Sequence, residues 1–289
     1  MANSTQPMRD KICLVTGATS GIGQVTARAL AQQGARVIVV GRNQEKCSAT
    51  VSQIQQQTGN RAVEYLLADL SSQSAVRQLA QEFKSRCRQL HVLVNNAGAV
   101  FFQRQATVDG IEMTLGLNHL SYFLLTHLLL DVIQASAPAR IVNVASRAHE
   151  RAHIHFDDLQ GQRSYNAMRA YGQSKLGNVL FTYELARRLT GTRVTANALH
   201  PGVVGTGFAA NNGSLVRLGL RLFHLFTISP EQGAQTNIYL ATSPEVEGIT
   251  GKYFVDSQAV PSSPMSYDTA VAGRLWRVSG EMTGLPTTI

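Results

Sequence analysis

The chain has 289 residues, of which 44% are hydrophobic and 15% are charged, and its formal net charge is +8. This composition is typical of a globular protein long enough to bury a full core in one large domain. A positive net charge is compatible with nucleic-acid binding. The lysines and arginines are scattered, however, and no basic run alternates with aromatic residues. The pattern therefore argues against a nucleic-acid-binding protein.

Cysteine usage and the N-terminal residues indicate the compartment. The three cysteines, Cys13, Cys47 and Cys87, are odd in number and lack the spacing of metal ligands. Residues 1–10 are polar and contain no apolar core of a secretory signal. Together these features predict a reducing environment and a cytoplasmic protein.

Apolar runs that are typical of buried strands alternate along the chain with longer stretches of helical periodicity. The predicted strands are residues 12–15, 37–40, 63–67, 92–94, 141–144, 194–199 and 253–255. The predicted helices are residues 22–33, 44–57, 72–88, 111–133, 167–189 and 230–242. This alternation predicts an α/β fold with a doubly wound, mostly parallel sheet covered by helices on both faces, as a single domain over residues 1–289. In such sheets a ligand lies beyond the carboxyl ends of the strands.

A glycine-rich turn follows the first predicted strand and precedes the first predicted helix. Its glycines are Gly17, Gly21 and Gly23, in the spacing Gly-x-x-x-Gly-x-Gly. Glycines allow a tight turn and close approach of the backbone, and the N-terminus of the following helix offers N–H groups and a positive dipole end to a pyrophosphate. By itself the motif is equally compatible with a plain turn.

The residues after the second predicted strand indicate which dinucleotide is bound. A site for NAD places an acidic residue here to hold the ribose hydroxyls, whereas this chain has Gly41-Arg42-Asn43. Arg42 offers a planar fork to a 2′-phosphate, and Lys46 lies one turn into the next helix. The sequence therefore predicts NADP(H), with a solvated arginine at a helix start as the alternative.

Polar and small residues follow the third and fourth predicted strands. Asp69 either pairs with an adenine amine or, like Ser71, caps the following helix, and residue chemistry does not separate these interpretations. The run Asn95-Asn96-Ala97-Gly98 is small and polar at a point where a backbone must approach a ligand.

Four polar residues are candidates for acid–base chemistry. Asn118 lies within an otherwise apolar helix face, so it is either structural or relays protons. Ser146 follows the fifth predicted strand. Tyr171 and Lys175 are four residues apart and share a helix face. Because a nearby ammonium and an oxidised nicotinamide both favour the phenolate, we expect the pKa of Tyr171 to fall below its usual value near 10, and a shift of about three units would make it a usable proton donor or acceptor.

The histidines are interpreted as structural or peripheral. His119 and His127 are expected to be core or rim residues rather than ligands. His149, His153 and His155 have no convincing carboxylate or cysteine beside them, so we expect them at the rim of a substrate pocket and predict no metal site.

Taken in order, these motifs resemble those of the short-chain dehydrogenase/reductase family, over nearly the whole chain. The matching residues are Thr16-Gly17-x-x-x-Gly21-Ile22-Gly23, Asn95-Asn96-Ala97-Gly98, Asn118, Ser146, Tyr171-x-x-x-Lys175 and Pro201-Gly202. Residues 154–161, 199–204 and 274–279 are similar to the retinol dehydrogenase branch of that family. The resemblance implies a Rossmann fold and hydride transfer with a nicotinamide cofactor.

The resemblance also implies a role for each candidate residue. Ser146 would hold the substrate oxygen, Tyr171 would exchange a proton, Lys175 would bind the nicotinamide ribose and lower the pKa of the tyrosine, and Asn118 would hold a water in a proton relay. Tyr171 and Lys175 would therefore also contact the cofactor. The remaining expected contacts are Gly17, Thr19, Ser20, Gly21 and Ile22 at the phosphates, Arg42, Asn43 and Lys46 at the 2′-phosphate, Asp69 and Leu70 at the adenine, Asn95, Ala97 and Gly98 at the ribose, and Pro201, Gly202, Val204 and Thr206 at the nicotinamide.

A variable segment follows Pro201-Gly202, and we expect a small helical substrate lid over residues 205–230. Within it, residues 215–226, from Leu215 to Phe226, place basic side chains on one stripe of an otherwise apolar helix. This segment is either a helix packed on the domain or a lid that also touches a membrane surface, with a long apolar substrate beneath it.

The sequence as a whole predicts an NADP(H)-dependent oxidoreductase that interconverts an aldehyde or ketone and the alcohol, on a retinal-like or fatty substrate. One alternative is a reductase of a ring double bond that resembles protochlorophyllide reductase. Another is a catalytically silent protein that senses NADPH, which the intact set of Asn118, Ser146, Tyr171 and Lys175 argues against. The resemblance also implies that the protein can form a homo-oligomer through its long helices.

Overall fold

The computed structural model describes residues 6–202 and 228–286. Its strands are β1 (Ile12–Thr16), β2 (Arg36–Gly41), β3 (Val63–Leu67), β4 (Val92–Asn95), β5 (Ala139–Val144), β6 (Val194–His200), β7 (Tyr253–Val255) and β8 (Gln258–Val260). Its α-helices are α1 (Gly21–Gln32), α2 (Gln44–Thr58), α3 (Gln73–Arg86), α4 (Met113–Leu115), α5 (Ser121–Gln134), α6 (Ala167–Arg188), α7 (Pro230–Thr242) and α8 (Thr269–Thr283). A π-helical turn, Gly116–Leu120, joins α4 to α5, and short 3-10 turns lie at Arg147–Arg151, Phe156–Asp158, Pro244–Val246 and Pro264–Tyr267.

One eight-stranded sheet organises the described residues, in the order β3-β2-β1-β4-β5-β6-β7-β8. Neighbouring strands are parallel from β3 to β7, and β8 is antiparallel to β7. The register places Leu14 of β1 opposite Ile38 of β2 and Leu93 of β4. The prediction of a doubly wound, mostly parallel sheet is therefore confirmed. The strand order reverses beside β1, so the carboxyl ends of β1 and β4 border the crevice where such sheets bind ligands.

Helix starts follow the local sequence. The side chain of Asn43 accepts a hydrogen bond from Lys46 N at the start of α2, and Ser72 accepts one from Ala75 N at the start of α3. At the start of α7, Ser229 and Gln232 form a reciprocal capping box. These caps satisfy N–H groups that the first turn of a helix leaves without partners.

The two faces of the sheet bury separate apolar clusters, and the larger cluster contains a set of packed aromatic side chains. Trp276 of α8 lies with its ring centroid 5.1 Å from that of Phe123 and 5.7 Å from that of Phe181. The guanidinium of Arg188 lies 4.3 Å from the Trp276 ring centroid. Helix α8 thus covers the outer side of α5 and α6 and buries the single tryptophan of the chain.

Predicted and observed elements agree closely. The seven predicted strands and the six predicted helices are present, with ends shifted by at most two residues. The predicted helix 111–133 corresponds to the contiguous α4, π-helical turn and α5, and the π-helical turn within it was not predicted. Helix α8 and strand β8 were not predicted. None of the described helices is long and apolar enough to cross a membrane.

Candidate active site

A cleft of about 520 Å³ lies at the carboxyl ends of the parallel strands. The cleft is lined by residues that stand at the end of each strand from β1 to β6 or directly after it. The sequence-predicted residues that line the cleft are Gly17, Thr19, Ser20, Gly21, Ile22, Arg42, Asp69, Leu70, Ala97, Gly98, Ser146, Tyr171, Lys175, Pro201 and Gly202. A cleft of this size suits a small-molecule ligand.

The glycine turn packs closely against the loop that follows β4. Gly17 has φ +63°, and a Cβ atom there would lie 2.8 Å from the Cα atom of Ala97. A side chain at residue 17 would therefore be strained and would push the two loops apart. Ser20 precedes α1 without capping it through its side chain, and residues 21–23 in the first turn of α1 line the cleft. This geometry fits a phosphate group.

The residues predicted at the adenine end divide into those that line the cleft and those that serve the scaffold. Arg42, Asp69 and Leu70 line the cleft, whereas Asn43 and Lys46 do not. Asn43 is instead the cap of α2. The capping alternative for Asp69 is wrong, because Ser72 caps α3 while Asp69 accepts hydrogen bonds from the N–H and hydroxyl of Ser71 at 3.0 and 2.7 Å.

The side chain of Asn95 lies in the core rather than in the cleft. Its Nδ2 atom donates to Thr126 Oγ1 at 3.0 Å and to Asn143 Oδ1 at 2.9 Å. Its neighbour Asn96 lines the cleft and donates to the main-chain oxygen of Thr16 at 2.8 Å. Asn96, which was not among the predicted contacts, thus ties the loop after β4 to the start of the glycine turn.

Ser146, Tyr171 and Lys175 meet at one wall of the cleft. The Ser146 and Tyr171 side chains share a hydrogen bond, and Ser146 Oγ also accepts one from Ala148 N at 3.2 Å. Lys175 Nζ donates to the main-chain oxygen of Val144 at 2.9 Å and lies 5.7 Å from the centroid of the Tyr171 ring. A hydroxyl, a phenol and an ammonium group are thereby placed together.

Burial controls the ionisation of this group. It raises the pKa of Tyr171 above its usual value, and the hydrogen bond with Ser146 opposes the rise. It lowers the pKa of Lys175 from 10.5 to about 7. The expected lowering of the pKa of Tyr171 is therefore not found in this structure, because loss of water disfavours the phenolate more than its neighbours favour it. Tyr171 carries its proton at neutral pH.

Asn118 braces the loop that borders the cleft. It is 0% exposed, its Oδ1 accepts from Ala99 N at 2.9 Å, and its Nδ2 donates to Ala99 O at 2.9 Å and to Ser174 Oγ at 3.1 Å. A Cβ atom on Gly98 would lie 3.2 Å from Asn118 Oδ1 and 3.5 Å from Lys175 Nζ. Asn118 is therefore next to the catalytic candidates, although its side chain is behind the cleft wall.

Comparisons with known proteins agree with this geometry. A family model described as short chain dehydrogenase matches residues 11–215. Human retinol dehydrogenase 11 is 44% identical over 99% of this chain and 90% of its own length, and human polyprenol dehydrogenase is 43% identical over 96% and 87%. The chain belongs to the short-chain dehydrogenase family. Within the family its relatives place it in the retinol dehydrogenase branch.

Solved structures share the fold of this short-chain dehydrogenase. An uncharacterised protein from Mycobacterium paratuberculosis has a TM-score of 0.79 and 32% identity, covering 98% of this chain and 96% of the other. The Pseudomonas aeruginosa RhlG/NADP active-site complex has a TM-score of 0.68 and 30% identity, covering 88% and 97%. The protein is therefore an oxidoreductase of a family that uses NAD(P)(H).

The histidine predictions need correction in this short-chain dehydrogenase. His149 is 0% exposed and is not a rim residue: its Nδ1 lies 2.7 Å from Ser146 O, and its Nε2 accepts from Ser263 N at 3.1 Å. His153 and His155 are exposed and do not line the cleft. His149 is buried because a segment more than a hundred residues later in the chain covers it. Among the described residues there is no metal-binding group of three.

Besides Asn96, the unpredicted residues of the cleft include His200 and Met168, and two predicted contacts lie outside the described residues. His200 ends β6 and lines the cleft, and burial lowers its pKa to about 4. Met168 lines the mouth one turn before Tyr171 and is 61% exposed. The position of His200, directly before Pro201-Gly202, was the available signal. Val204, Thr206 and the greater part of the predicted lid lie outside the described residues.

Proposed function

We propose that this short-chain dehydrogenase interconverts a lipophilic aldehyde or ketone and its alcohol, with NADP(H) as the cofactor. The observation that carries the proposal is the meeting of Ser146, Tyr171 and Lys175 in a cleft whose other end holds the glycine turn and Arg42. We also propose that residues 1–289 form a single domain, with residues 205–230 as its lid.

The arrangement supports proton transfer to a carbonyl oxygen. Ser146 and Tyr171 are close enough to donate two hydrogen bonds to one oxygen atom, which orients the carbonyl group and stabilises negative charge as it develops. Tyr171 then gives its proton to that oxygen, and in the reverse direction it accepts the proton of the alcohol. A nicotinamide cofactor, when held in the cleft, would supply or accept the hydride. We propose that Lys175 holds the nicotinamide ribose beside Tyr171. A role of Asn118 in holding a water of the relay stays a prediction, because its side chain lies behind the cleft wall and is hydrogen-bonded to Ala99 and Ser174.

The preference for NADP(H) follows from the end of β2. Arg42 lines the cleft there, and residues 41–43 include no acidic side chain. A guanidinium can form two parallel hydrogen bonds with a phosphate, whereas the hydroxyls of NAD call for a carboxylate. The similar RhlG structure is a complex with NADP, which supports this choice. Three of the predicted contacts do not line the cleft, namely Asn43, Lys46 and Asn95. We therefore propose that the cofactor site consists of the other predicted contacts.

The substrate class is inferred from the cleft mouth and from relatives. Met168 presents an apolar side chain beside Tyr171. Retinol and polyprenol, which the names of two relatives specify, are long isoprenoid alcohols. We therefore propose that the substrate is a long apolar chain with a terminal oxygen. We also propose that the protein forms a homo-oligomer and that residues 215–226 contact a membrane surface peripherally. Sedimentation with anionic liposomes at low salt tests the membrane contact, and absence of binding contradicts it.

The testing experiment follows NADPH consumption over aldehydes of increasing chain length, including retinal, with NADH in parallel. We expect turnover to rise with chain length, to require NADPH, and to fall at least about a hundredfold in Tyr171→Phe, since a general acid contributes about that factor or more. Tight NADPH binding without turnover would instead support the silent sensor. Reduction of a ring double bond, with no reduction of any aldehyde, would support the protochlorophyllide reductase alternative.

A second variant tests the cofactor choice. Arg42→Ala is expected to raise KM for NADPH about tenfold to a hundredfold and to leave KM for NADH nearly unchanged, because it removes a charge-assisted pair to the 2′-phosphate. Arg61→Ala is the matched control, because it removes an exposed arginine that precedes the amino end of β3, whereas the cleft lies at the carboxyl ends of the strands. Equal effects of Arg42→Ala on both cofactors would contradict the assignment.

A further inference from the structure

Buried hydrogen bonds link the C-terminal helix α8 to the candidate active site through His119. This residue lies in the π-helical turn beside Asn118 and is 1% exposed. Its Nε2 atom is 3.0 Å from Ser279 Oγ on α8, and its Nδ1 atom is 3.3 Å from Asn178 Oδ1 on α6. A Cβ atom on Gly177 would lie 3.0 Å from His119 Nδ1, so the glycine makes room for the ring.

The amide of Asn178 carries this link onward to the catalytic candidates. Its Nδ2 atom donates to the main-chain oxygen of Asn118 at 2.9 Å and lies 3.4 Å from the main-chain oxygen of Val144. The same Val144 oxygen accepts the 2.9 Å hydrogen bond from Lys175 Nζ. Asn178 therefore shares an acceptor with Lys175 and also holds the backbone of Asn118.

These partners determine which nitrogen of His119 carries the proton. Because Asn178 directs its N–H groups at two carbonyl oxygens, its Oδ1 faces His119 and can only accept. His119 Nδ1 is then the donor, and Nε2 accepts from the Ser279 hydroxyl. Burial lowers the pKa of His119 to about 4, which keeps the ring neutral at neutral pH.

We propose that His119 is a positioning residue for proton transfer: its Nδ1–H group holds the Asn178 amide in the orientation that fixes the backbone oxygen of Asn118 and the Val144 oxygen to which Lys175 donates. The proposal rests on the proposed function of the same site. Without that donor, the amide can turn and present its oxygen to the two carbonyl oxygens. Within residues 6–202 and 228–286, the ionisable groups that face Lys175 are the phenols of Tyr122 and Tyr171, whose ring centroids lie 5.8 and 5.7 Å from Nζ.

Two substitutions at His119 separate its two hydrogen bonds. Asparagine retains a donor near the position of Nδ1, whereas glutamine retains a polar group near Nε2. We expect His119→Asn to keep kcat within about threefold and to leave the pH profile of reduction unchanged. His119→Gln is expected to lower kcat about tenfold and to shift the midpoint of the profile by about one pH unit, with KM for NADPH unchanged. Ser279→Ala, which removes the outer partner alone, is the control and should keep the profile.

The possible outcomes separate the two proposals. Identical pH profiles in active variants, with parallel losses of Tm, would restrict the network to folding and overturn the positioning role. A wild-type protein that binds NADPH and reduces no aldehyde would contradict the proposed function. In that case, ¹⁵N spectra of histidine-labelled protein still test the positioning role, with the His119 signals assigned by their loss in the variants. A proton on Nδ1 supports it, and a proton on Nε2 overturns it.

Discussion

Tyr171 and Lys175 lie one turn apart on α6, and both lose their contact with water when the protein folds. Because burial disfavours charge of either sign, the pKa of the phenol rises while that of the ammonium falls to about 7. Tyr171 is thus protonated through the neutral range, as an acid for carbonyl reduction must be. Lys175 changes its charge within that range.

The pH dependence of the two directions follows from these shifts. We expect carbonyl reduction to be constant at acidic pH and to decline as the pH rises through about 7, where Lys175 loses its proton. Alcohol oxidation, in which Tyr171 must accept a proton, should rise with pH. Initial rates in both directions across the neutral range check this, and Lys175→Arg should remove the step near 7 because arginine stays charged. Reduction that increases through this pH would contradict the assignment.

Sequence reasoning could predict the position of a residue at the cleft where that position follows from the end of a strand. It could not predict a position that depends on a segment distant in the chain. Gly17, Arg42 and Ser146 each follow a strand, so their place at the cleft could be predicted from the sheet alone. The side chain of Asn95 points to the core because it still belongs to β4 and bonds to Asn143 of β5. His149 is buried by Ser263, a contact that no local pattern contains.

At the scale of elements, α8 is the part of the fold that sequence reasoning missed, although its signals are present. Asp268 accepts hydrogen bonds from Ala270 N and Val271 N at the helix start, and Gly284 adopts a left-handed conformation at its end. The buried residues Ala272, Leu275, Trp276, Ser279 and Thr283 recur at helical spacing. Only the structure shows that this stripe faces α6 and completes the aromatic group around Phe123.

Truncation of the tryptophan in α8 measures how much this helix stabilises the fold. Trp276→Ala should lower the free energy of unfolding by about 3–5 kcal/mol, because it removes a large buried side chain and leaves a cavity against Phe123 and Phe181. Urea denaturation monitored by circular dichroism gives the value. Arg277→Ala, on the exposed side of the same helix, should change it by less than about 0.5 kcal/mol. Similar losses in both variants would mean that α8 does not pack as described.

The π-helical turn has a clear role at the same scale. A helix with an inserted residue locally redirects its side chains and frees its backbone from regular pairing. Here the turn presents Asn118 to Ala99 and Ser174 and turns His119 toward Asn178 and Ser279. The interruption was not predictable from the apolar periodicity of residues 111–133, since these residues remain buried on both sides of it.

At the scale of the whole molecule, buried histidines make the fold sensitive to acid. Burial lowers the pKa of both His119 and His200 from 6.5 to about 4, and lowers that of His91, His127 and His149 as well. Between pH 6.5 and about pH 4, the histidines of the unfolded chain therefore bind more protons than those of the folded protein. Stability is therefore fully present above pH 6.5 and is lost as the pH falls toward 4.

We expect the free energy of unfolding to fall steadily between about pH 6.5 and 4.5, with His119 alone contributing about 3 kcal/mol over its full shift. Urea titrations at several pH values in this window measure the slope. His119→Asn should reduce the slope, since one titrating group is removed, whereas replacement of the exposed His153 by asparagine should not. A slope that is the same in all three proteins would refute the assignment.

The order of the strands also bears on how the protein forms during translation. Each strand from β2 to β8 pairs with at least one strand that precedes it in the chain, so the sheet can grow as the nascent polypeptide leaves the ribosome. Helix α8 follows all eight strands, and until it emerges the aromatic side of α5 and α6 lacks its cover. The growing chain thus passes through a stage with a formed sheet and exposed aromatic surface, which is the kind of surface that chaperones bind.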